Sequence, residues 1–389
     1  MSIQEHLSRL GSTETTDEQR EAALRGFKAP HTASREVTGD TRRHSDADAI
    51  RRHFGVAPWD PAPYLEADHR SVLPDCFLHE WDAPPERSSG GTDFLARGKP
   101  GSGKSTLANH YATRQLEING EPVVWRGSSS RSEWLPLAPW ATLCLPANAS
   151  VSARLVPTNR SEEPISLRSS DLTRIVRDVI RYENPLDLIE QIRPGQFHVV
   201  YPDPSMSGCQ ELFEAAGTKN YDEPPRGELF APEDPAAHFW FAFVLARVEF
   251  VERATFLTLI LDEIGDIAPQ SASKDTFGTY QKIELLKDLW VDARKLGLTF
   301  GLFCHSEVDI HQLIRHKIRW RIQMPGTSNP TSASGVVGFE EIPMNSAVTS
   351  HYPIGRGLMY TETNFDRFEW PNYSADVPFK LKIEPRAVA

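Results

Sequence analysis

Cysteine is scarce in this chain, and the cysteines that are present lie far apart. Only 4 of the 389 residues are cysteine, and no two of them form a CxxC pair. Disulfide frameworks and cysteine-ligated zinc sites need defined cysteine spacings, and a chain of this length can bury a sizeable core without either. The sequence therefore argues against a disulfide-stapled scaffold and against a structural zinc module.

Long hydrophobic runs are also lacking. The most apolar stretches, 239–245 and 256–261, are much shorter than the ~18–20 residues that span a bilayer, and the mean hydropathy is −0.42. The first residues have neither the apolar core of a signal peptide nor the acid-poor composition of a transit peptide. We expect no membrane span and a cytoplasmic location, or a virion-associated one if the chain is viral.

Positive charge is in deficit, since 42 Lys and Arg face 53 Asp and Glu for a net charge of −11. A nucleic-acid surface would therefore have to be a local patch. In the alternating segment 315–321, a strand would bury Ile318 and present Lys317, Arg319 and Arg321 together. Such a row could follow the phosphate backbone of double-stranded DNA, although a solvated strand face is the more common meaning of the pattern.

Changes in composition predict four segments along the chain. The polar N-terminal part contains one short helical candidate, at 45–54, and offers little apolar surface for a core. In chain order the predicted segments are a partly disordered arm (1–73), a wrapping segment or linker (74–91), a core (92–325) with irregular insertions at about 127–193 and 205–234, and C-terminal strands with a tail (326–389).

The predicted core alternates short apolar runs with amphipathic helices. A strand at 92–97 is followed by a Gly-rich loop and a helix at 104–118, and this order is typical of a parallel sheet. Within the insertions, we expect a helix over 170–182 and a loop-rich stretch over 205–234. The predicted fold class is α/β, with a mostly parallel sheet flanked by helices.

A phosphate-binding motif lies between the first predicted strand and its helix. Residues 98–105 fit GxxxxGKS/T, in which glycines let successive backbone N–H groups turn toward a phosphate. In that motif Lys104 reaches the β- and γ-phosphates and Ser105 ligates Mg²⁺, whereas a plain Gly-rich turn would have neither role. The pattern predicts binding of ATP and Mg²⁺ by Gly98, Lys99, Pro100, Gly101, Ser102, Gly103, Lys104, Ser105 and Thr106.

Two carboxylates follow a second apolar strand at 257–261. Asp262 is placed to hold Mg²⁺ together with Ser105, and Glu263 can polarise a water molecule for attack on the γ-phosphate. This pair favours hydrolysis over binding alone. The alternatives are a strand that ends in a solvated acidic turn and a P-loop kinase that transfers phosphate to a small acceptor.

The order of the motifs resembles the HerA/FtsK superfamily of P-loop ATPases, which includes conjugative coupling proteins and viral genome-packaging ATPases. The motifs are GKPGSGKS, LTLILDEIGD, a helix ending in DARKLG, the strand LTFGLFCHSE and a late GRGLMY. The resemblance covers 92–324 and, more weakly, 355–371. It implies a RecA-like core with an additional strand between the phosphate-loop strand and the carboxylate strand. It further implies a homo-hexamer with sites at subunit interfaces and DNA in a central channel. A portal, capsid or membrane-complex protein would be a further partner.

The resemblance also assigns two further catalytic candidates. Arg294 matches the arginine that this superfamily tends to place at the end of the equivalent helix, where it would act on a neighbouring subunit's nucleotide. The alternative is a cation that stabilises the end of its own helix. Where the superfamily usually has a Thr-Gln sensor, this chain has His305, which could contact a phosphate or the attacking water, or be a satisfied structural histidine.

Two functions remain open at this point. The first is an ATP-hydrolysing motor that translocates double-stranded DNA in genome packaging or DNA transfer. The second is a nucleotide-gated assembly ATPase that remodels protein partners without touching DNA, which the low overall basicity favours. Stimulation of ATP hydrolysis by DNA would distinguish them.

Overall fold

The computed structural model describes residues 15–30, 46–60, 93–159, 161–221, 227–251, 256–327, 349–360, 365–374 and 377–387. Thirteen strands occur in these ranges. They are β1 (Phe94–Arg97), β2 (Val123–Arg126), β3 (Ala141–Pro146), β4 (Ala149–Pro157), β5 (Ile165–Leu167), β6 (Asp178–Tyr182), β7 (Phe197–Val200), β8 (Leu257–Leu261), β9 (Leu298–Cys304), β10 (Trp320–Gln323), β11 (Arg356–Tyr360), β12 (Phe365–Glu369) and β13 (Phe379–Ala387).

The same ranges contain nine α-helices and several short 3₁₀ turns. The helices are α1 (Asp17–Leu24), α2 (Ala47–Phe54), α3 (Lys104–Ile118), α4 (Ser169–Leu172), α5 (Pro185–Gln191), α6 (Cys209–Tyr221), α7 (Phe239–Glu249), α8 (Thr279–Lys295) and α9 (Gln312–Arg315). Within the described part of the chain, no helix combines the length and the apolar character needed to cross a bilayer.

Ten of the described strands form one sheet in the order β12-β11-β10-β1-β9-β8-β2-β7-β3-β6. All neighbours from β10 to β6 are parallel, whereas β11 and β12 add an antiparallel hairpin at one edge. Strand β9 lies between β1 and β8, so the predicted additional strand is present. The predicted fold class, a mostly parallel sheet flanked by helices, is confirmed.

Helices cover both faces of this sheet. The strands alternate between the two sides, and in β1 Phe94 belongs to one hydrophobic cluster and Leu95 to the other. Helices α1, α2 and α3 pack in the first cluster, and α7 and α8 pack in the second. Strand β8 is buried along its whole length, as expected for a central parallel strand covered on both faces. A separate three-stranded sheet, β13-β4-β5, completes the first layer.

Two expectations for the insertions were wrong. The helix expected over 170–182 is only the short α4, which is followed by turns and then by β6, whose Val179 and Ile180 pair with Leu143 and Cys144 of β3. An open sheet edge beside β3 outweighed the helical spacing of these β-branched residues. The stretch expected to be loop-rich over 205–234 contains α6, which packs against α7 and buries Leu212.

The N-terminal part contains more structure than the single predicted helix. Helix α2 lies within the 45–54 candidate, and α1 is a second helix that we did not predict. A capping box formed by Thr16 and Gln19 begins α1, and Arg20 Nε donates to Ser166 O of β5 at 3.0 Å. The predicted linker, 74–91, lies outside the described residues. The segment boundaries stay predictions.

Candidate functional site

The loop after β1 forms a tight cradle at the carboxyl edge of the sheet. Gly101 and Gly103 have φ of +79° and +93°, a backbone region that favours glycine. At Gly98, a Cβ atom would lie 2.3 Å from Ser102 Oγ and 2.6 Å from Met324 Cβ, so no larger residue fits. The Gly98 N–H donates to Cys304 O at 3.1 Å, which ties the loop to the end of β9. These constraints account for the glycines of the motif.

Lys104 begins α3 and folds back over this loop. Its Nζ donates to Gly98 O at 2.6 Å and lies 3.1 Å from His305 Nδ1. Burial lowers the pKa of Lys104, and the carboxylates of Glu263 and Asp262 partly oppose that effect. The ammonium group is therefore held where a phosphate oxygen could replace its present partners.

The two carboxylates follow β8 on a strained turn. Glu263 has φ of +56°, a left-handed conformation that costs a non-glycine residue about 1–3 kcal/mol. Arg126, at the end of β2, donates to Asp262 O at 2.6 Å and to Glu263 O at 3.2 Å, and so holds this turn in place. Arg126 also pairs with Asp266 at 3.0 Å. Sequence reasoning did not identify Arg126 as part of the site.

A second arginine that sequence reasoning missed contacts both carboxylates. Arg131 Nη1 lies 3.4 Å from Asp262 Oδ2 and 3.0 Å from Glu263 Oε1. Burial raises the pKa of Asp262, and the Arg131 guanidinium opposes that rise. Burial also raises the pKa of Glu133, and the neighbouring Asp262 charge raises it further. The only sequence signal for Arg131 is its place shortly after β2, because loops after neighbouring parallel strands meet at one edge.

His305 connects the lysine to the acid. Its Nε2 lies 3.0 Å from Glu263 Oε1, while its Nδ1 faces Lys104 Nζ. Nδ1 also lies 3.2 Å from Gly98 O, so His305 contacts the lysine, the loop carbonyl and the carboxylate. The structure thus brings three predicted residues, Lys104, Glu263 and His305, into one polar chain.

The C-terminal hairpin closes another side of the phosphate loop. Trp370 Nε1 donates to Thr106 Oγ1 at 2.9 Å, and Thr106 Oγ1 donates to Gly103 O at 2.8 Å. A Cβ at Gly103 would lie 2.9 Å from Ile354, so this glycine also permits the hairpin to approach. The sequence motifs do not predict this contact, because it joins residues more than 250 positions apart.

The oxygen donors of the site suit a magnesium ion. Mg²⁺ prefers hard oxygen ligands and is usually held by one or two carboxylates together with substrate phosphates. Ser105 follows Lys104 in the first turn of α3, and the Asp262 carboxylate faces the same loop, where its charge acts on Lys104. The buried Ser102 Oγ has no hydrogen-bond partner among the described residues and is available to a phosphate oxygen. The residues present therefore fit a metal–nucleotide complex.

Within one folded chain, Arg294 lies far in space from this cluster. It is an exposed residue in the last turn of α8, before β9 begins, whereas His305 follows the other end of β9. Arg294 therefore lies at the amino-terminal ends of the parallel strands, and His305 lies at their carboxyl ends. A role for Arg294 at a nucleotide would require a neighbouring subunit, and it stays a prediction.

The predicted basic row is wrong for one of its three members, and only that member lies on β10, which begins at Trp320. Lys317 and Arg319 are exposed, but Arg321 is only 2% exposed. Arg321 Nη2 donates to Arg315 O at 2.8 Å, and its Nε lies 3.5 Å from Glu307 Oε2. Strand β10 is covered on both faces, so its successive side chains point alternately to two buried sides of the sheet. The prediction had assumed that one of these two sides faces solvent.

The described residues contain a glycine-rich loop between the parallel strand β1 and helix α3, and two acids that follow the nearby strand β8. One further strand, β9, lies between β1 and β8 in the sheet. The chain has a RecA-like P-loop NTPase fold. No family model and no curated protein sequence matches it. Solved structures of this fold are nevertheless similar to it.

Three of these structures can be named. The genome-packaging NTPase B204 of Sulfolobus turreted icosahedral virus 2, solved with AMPPCP, is 14% identical over 74% of this chain and 98% of its own, with a TM-score of 0.37. The pCW3 conjugation coupling protein TcpA, solved with ATPγS, is 12% identical over 82% of this chain and 70% of its own, with a TM-score of 0.37. The N-terminal domain of zonular occludens toxin from Neisseria meningitidis is 10% identical over 72% and 95%, with a TM-score of 0.30. At these values, the likeness does not establish a shared function.

Proposed function

We propose that this protein is an ATPase that binds ATP with Mg²⁺ at the loop 98–105 and hydrolyses it. The observation that carries the proposal is the polar chain from Lys104 through His305 to Glu263, with contacts of 3.1 Å and 3.0 Å. It places a carboxylate beside the lysine of a phosphate loop, which is the arrangement that hydrolysis of a terminal phosphate needs.

Each residue has a distinct task in this proposal. The loop amides and Lys104 bind the phosphates, and Lys104 exchanges Gly98 O and His305 for phosphate oxygens. Ser105 and Asp262 would hold Mg²⁺, which neutralises phosphate charge when it is bound. Glu263 accepts a proton from the attacking water, and His305, whose Nε2 lies 3.0 Å from Glu263 Oε1, positions that carboxylate.

We further propose that hydrolysis drives movement of double-stranded DNA by a homo-hexamer. The order of the motifs along the sequence supports this coupling. Lys317 and Arg319 remain exposed and could contact phosphate groups, and Arg294 could reach a neighbour's nucleotide.

Two variants test the chemistry. Lys104→Ala should lose ATP binding, because the lysine contacts phosphate in the ground state and in the transition state. Glu263→Gln should bind ATP and fail to hydrolyse it, because the carboxylate acts on the water. Titration calorimetry measures binding, and phosphate release measures turnover. An active Glu263→Gln protein would remove Glu263 from its proposed role.

A DNA titration tests the coupling. Double-stranded DNA should accelerate phosphate release by the wild type, and the Lys317→Ala/Arg319→Ala double variant should lose that acceleration, because two phosphate contacts are lost. Arg154→Ala serves as the control, since it removes an exposed positive charge from the separate three-stranded sheet. Hydrolysis that no DNA accelerates would instead favour the protein-remodelling alternative.

A further inference from the structure

Arg131 occupies the position between the two carboxylates that the proposed chemistry requires to be open. Its guanidinium contacts Asp262 at 3.4 Å and Glu263 at 3.0 Å, and its side chain is 31% exposed. The cation is therefore anchored by charge and not enclosed by packing. A side chain held in this way can leave when a competing charge arrives.

The acidic pair needs a cation before any ligand binds. Asp262 and Glu263 are adjacent in sequence, Glu263 is only 8% exposed, and Glu133 adds negative charge beside them. Unpaired carboxylates in such a place repel each other and lose hydration. Lys104 is engaged with Gly98 O and His305, so Arg131 is the cation in direct contact with both carboxylates.

A metal ion and the Arg131 guanidinium cannot both bind the Asp262 carboxylate at the same time. Mg²⁺ would sit about 2.1 Å from a carboxylate oxygen, and a guanidinium at hydrogen-bond distance from that oxygen would be pressed against a second positive charge. An arriving phosphate group supplies the new anion, and arginine binds phosphate oxygens through parallel N–H groups.

The backbone that carries Arg131 is tied to the phosphate loop. The buried Asn109 of α3 donates from Nδ2 to Ser105 O and to Glu133 O, each at 2.8 Å. Arg131 itself closes a tight turn, with its N–H donating to Ser128 O at 3.3 Å. The guanidinium can therefore change partners by side-chain rotation while its backbone keeps a fixed position relative to Ser105.

We propose that Arg131 is an internal counter-ion that occupies Asp262 and Glu263 in the empty site, opposes binding of a divalent metal without nucleotide, and transfers to the terminal phosphate when nucleotide binds. This inference rests on the proposed function, since it assigns Asp262 to the metal. Its consequence is that metal and nucleotide enter together, and metal alone is rejected.

The test measures metal binding without nucleotide. Mn²⁺ titrated into nucleotide-free protein, followed by electron paramagnetic resonance, should bind Arg131→Ala at least about tenfold more tightly than wild type, because removing one positive charge a few ångströms away strengthens attraction to the acids. Arg131→Gln, which keeps hydrogen-bonding capacity, should behave like Arg131→Ala, and Arg131→Lys should lie between them and wild type. Arg154→Ala, which removes an exposed arginine on the small sheet, is the control.

A second measurement follows a fluorescent ATP analogue in EDTA. The loss of a phosphate contact should weaken its binding to Arg131→Ala, so the variant should gain metal affinity and lose nucleotide affinity. If Arg131 had only a structural role, its replacement would not raise the metal affinity while lowering the nucleotide affinity. Circular dichroism identifies any variant that has not folded, and Arg131→Lys then supplies the comparison.

The outcomes separate the two proposals. Unchanged, weaker or undetectable Mn²⁺ binding by Arg131→Ala would overturn the counter-ion role even if wild type binds and hydrolyses ATP. Failure of wild type to bind the analogue with or without Mg²⁺ would instead overturn the proposed function.

Discussion

Replacing Glu307 by glutamine tests how the centre of the sheet is held together. Glu307 lies in a 3₁₀ turn after β9, and its two carboxylate oxygens lie 3.5 Å from Arg97 Nε and 3.5 Å from Arg321 Nε. The carboxylate side chain is 0% exposed, and each arginine side chain is 3% exposed. The variant keeps the shape of the side chain and removes its charge, which leaves two buried guanidinium groups without a counter-ion.

The expected loss of stability follows from what each arginine retains. Removing one partner of a buried ion pair costs about 3–5 kcal/mol. Arg97 still donates to Gln323 Oε1 at 3.0 Å, and Arg321 still donates to Arg315 O at 2.8 Å, so the lower end of that range applies. At roughly 2 °C per kcal/mol for a large domain, a loss of about 3 kcal/mol lowers Tm by about 6 °C.

Thermal unfolding followed by circular dichroism at neutral pH measures this change. The matched control is Glu384→Gln, whose partner Arg154 lies at 2.8 Å but is 45% exposed, so the expected cost is at most about 1 kcal/mol. A Glu307→Gln protein that unfolds within about 2 °C of wild type would refute the reasoning, since the two arginines would then not depend on this carboxylate.

Two further predictions concern stability. Burial lowers the pKa of His110 and His198 to about 3, so between roughly pH 6.5 and 3 the unfolded chain binds more protons, and stability should fall as pH falls by about 1.4 kcal/mol per pH unit for each histidine. Urea unfolding at pH 7 and pH 5 measures this slope, and a His198→Asn slope equal to that of wild type would contradict the assignment. Trp290 Nε1 donates to Asp93 Oδ2 at 2.6 Å while Phe300 N donates to Oδ1 at 2.9 Å, so Trp290→Phe should cost about 1.5–3 kcal/mol in urea unfolding. No change in that variant would mean that the carboxylate finds another donor.

The parts of the site whose residues are close together in the sequence could be predicted from the sequence. The glycines of the loop, Lys104 and Ser105 lie within eight residues, and their spacing alone predicts a turn that opens a helix at Lys104, where α3 begins. The apolar run before Asp262 likewise predicts the buried β8. In both cases backbone geometry over a few residues determines the outcome, so distant residues have little influence.

The local pattern was insufficient where a neighbouring strand decides the structure. The same alternation that predicts an exposed face for Arg321 describes a strand buried on both sides, and only the place of β10 between β1 and β11 distinguishes the two. The residues of β6 have helical spacing, yet the open edge of β3 recruits them into the sheet. Burial and strand pairing depend on what lies beside an element, and a local pattern does not contain that information.

Composition and spacing were therefore sufficient to predict the fold class, the phosphate loop and the acidic pair, because each depends on local backbone geometry and on the pattern of apolar and polar side chains. The tertiary structure alone placed Arg131 on that pair, across 131 positions of chain, and joined His305 to both Lys104 and Glu263. The physical reason is that parallel strands bring their carboxyl ends to one edge regardless of their separation in sequence. Charge then selects which of the side chains at that edge make contact.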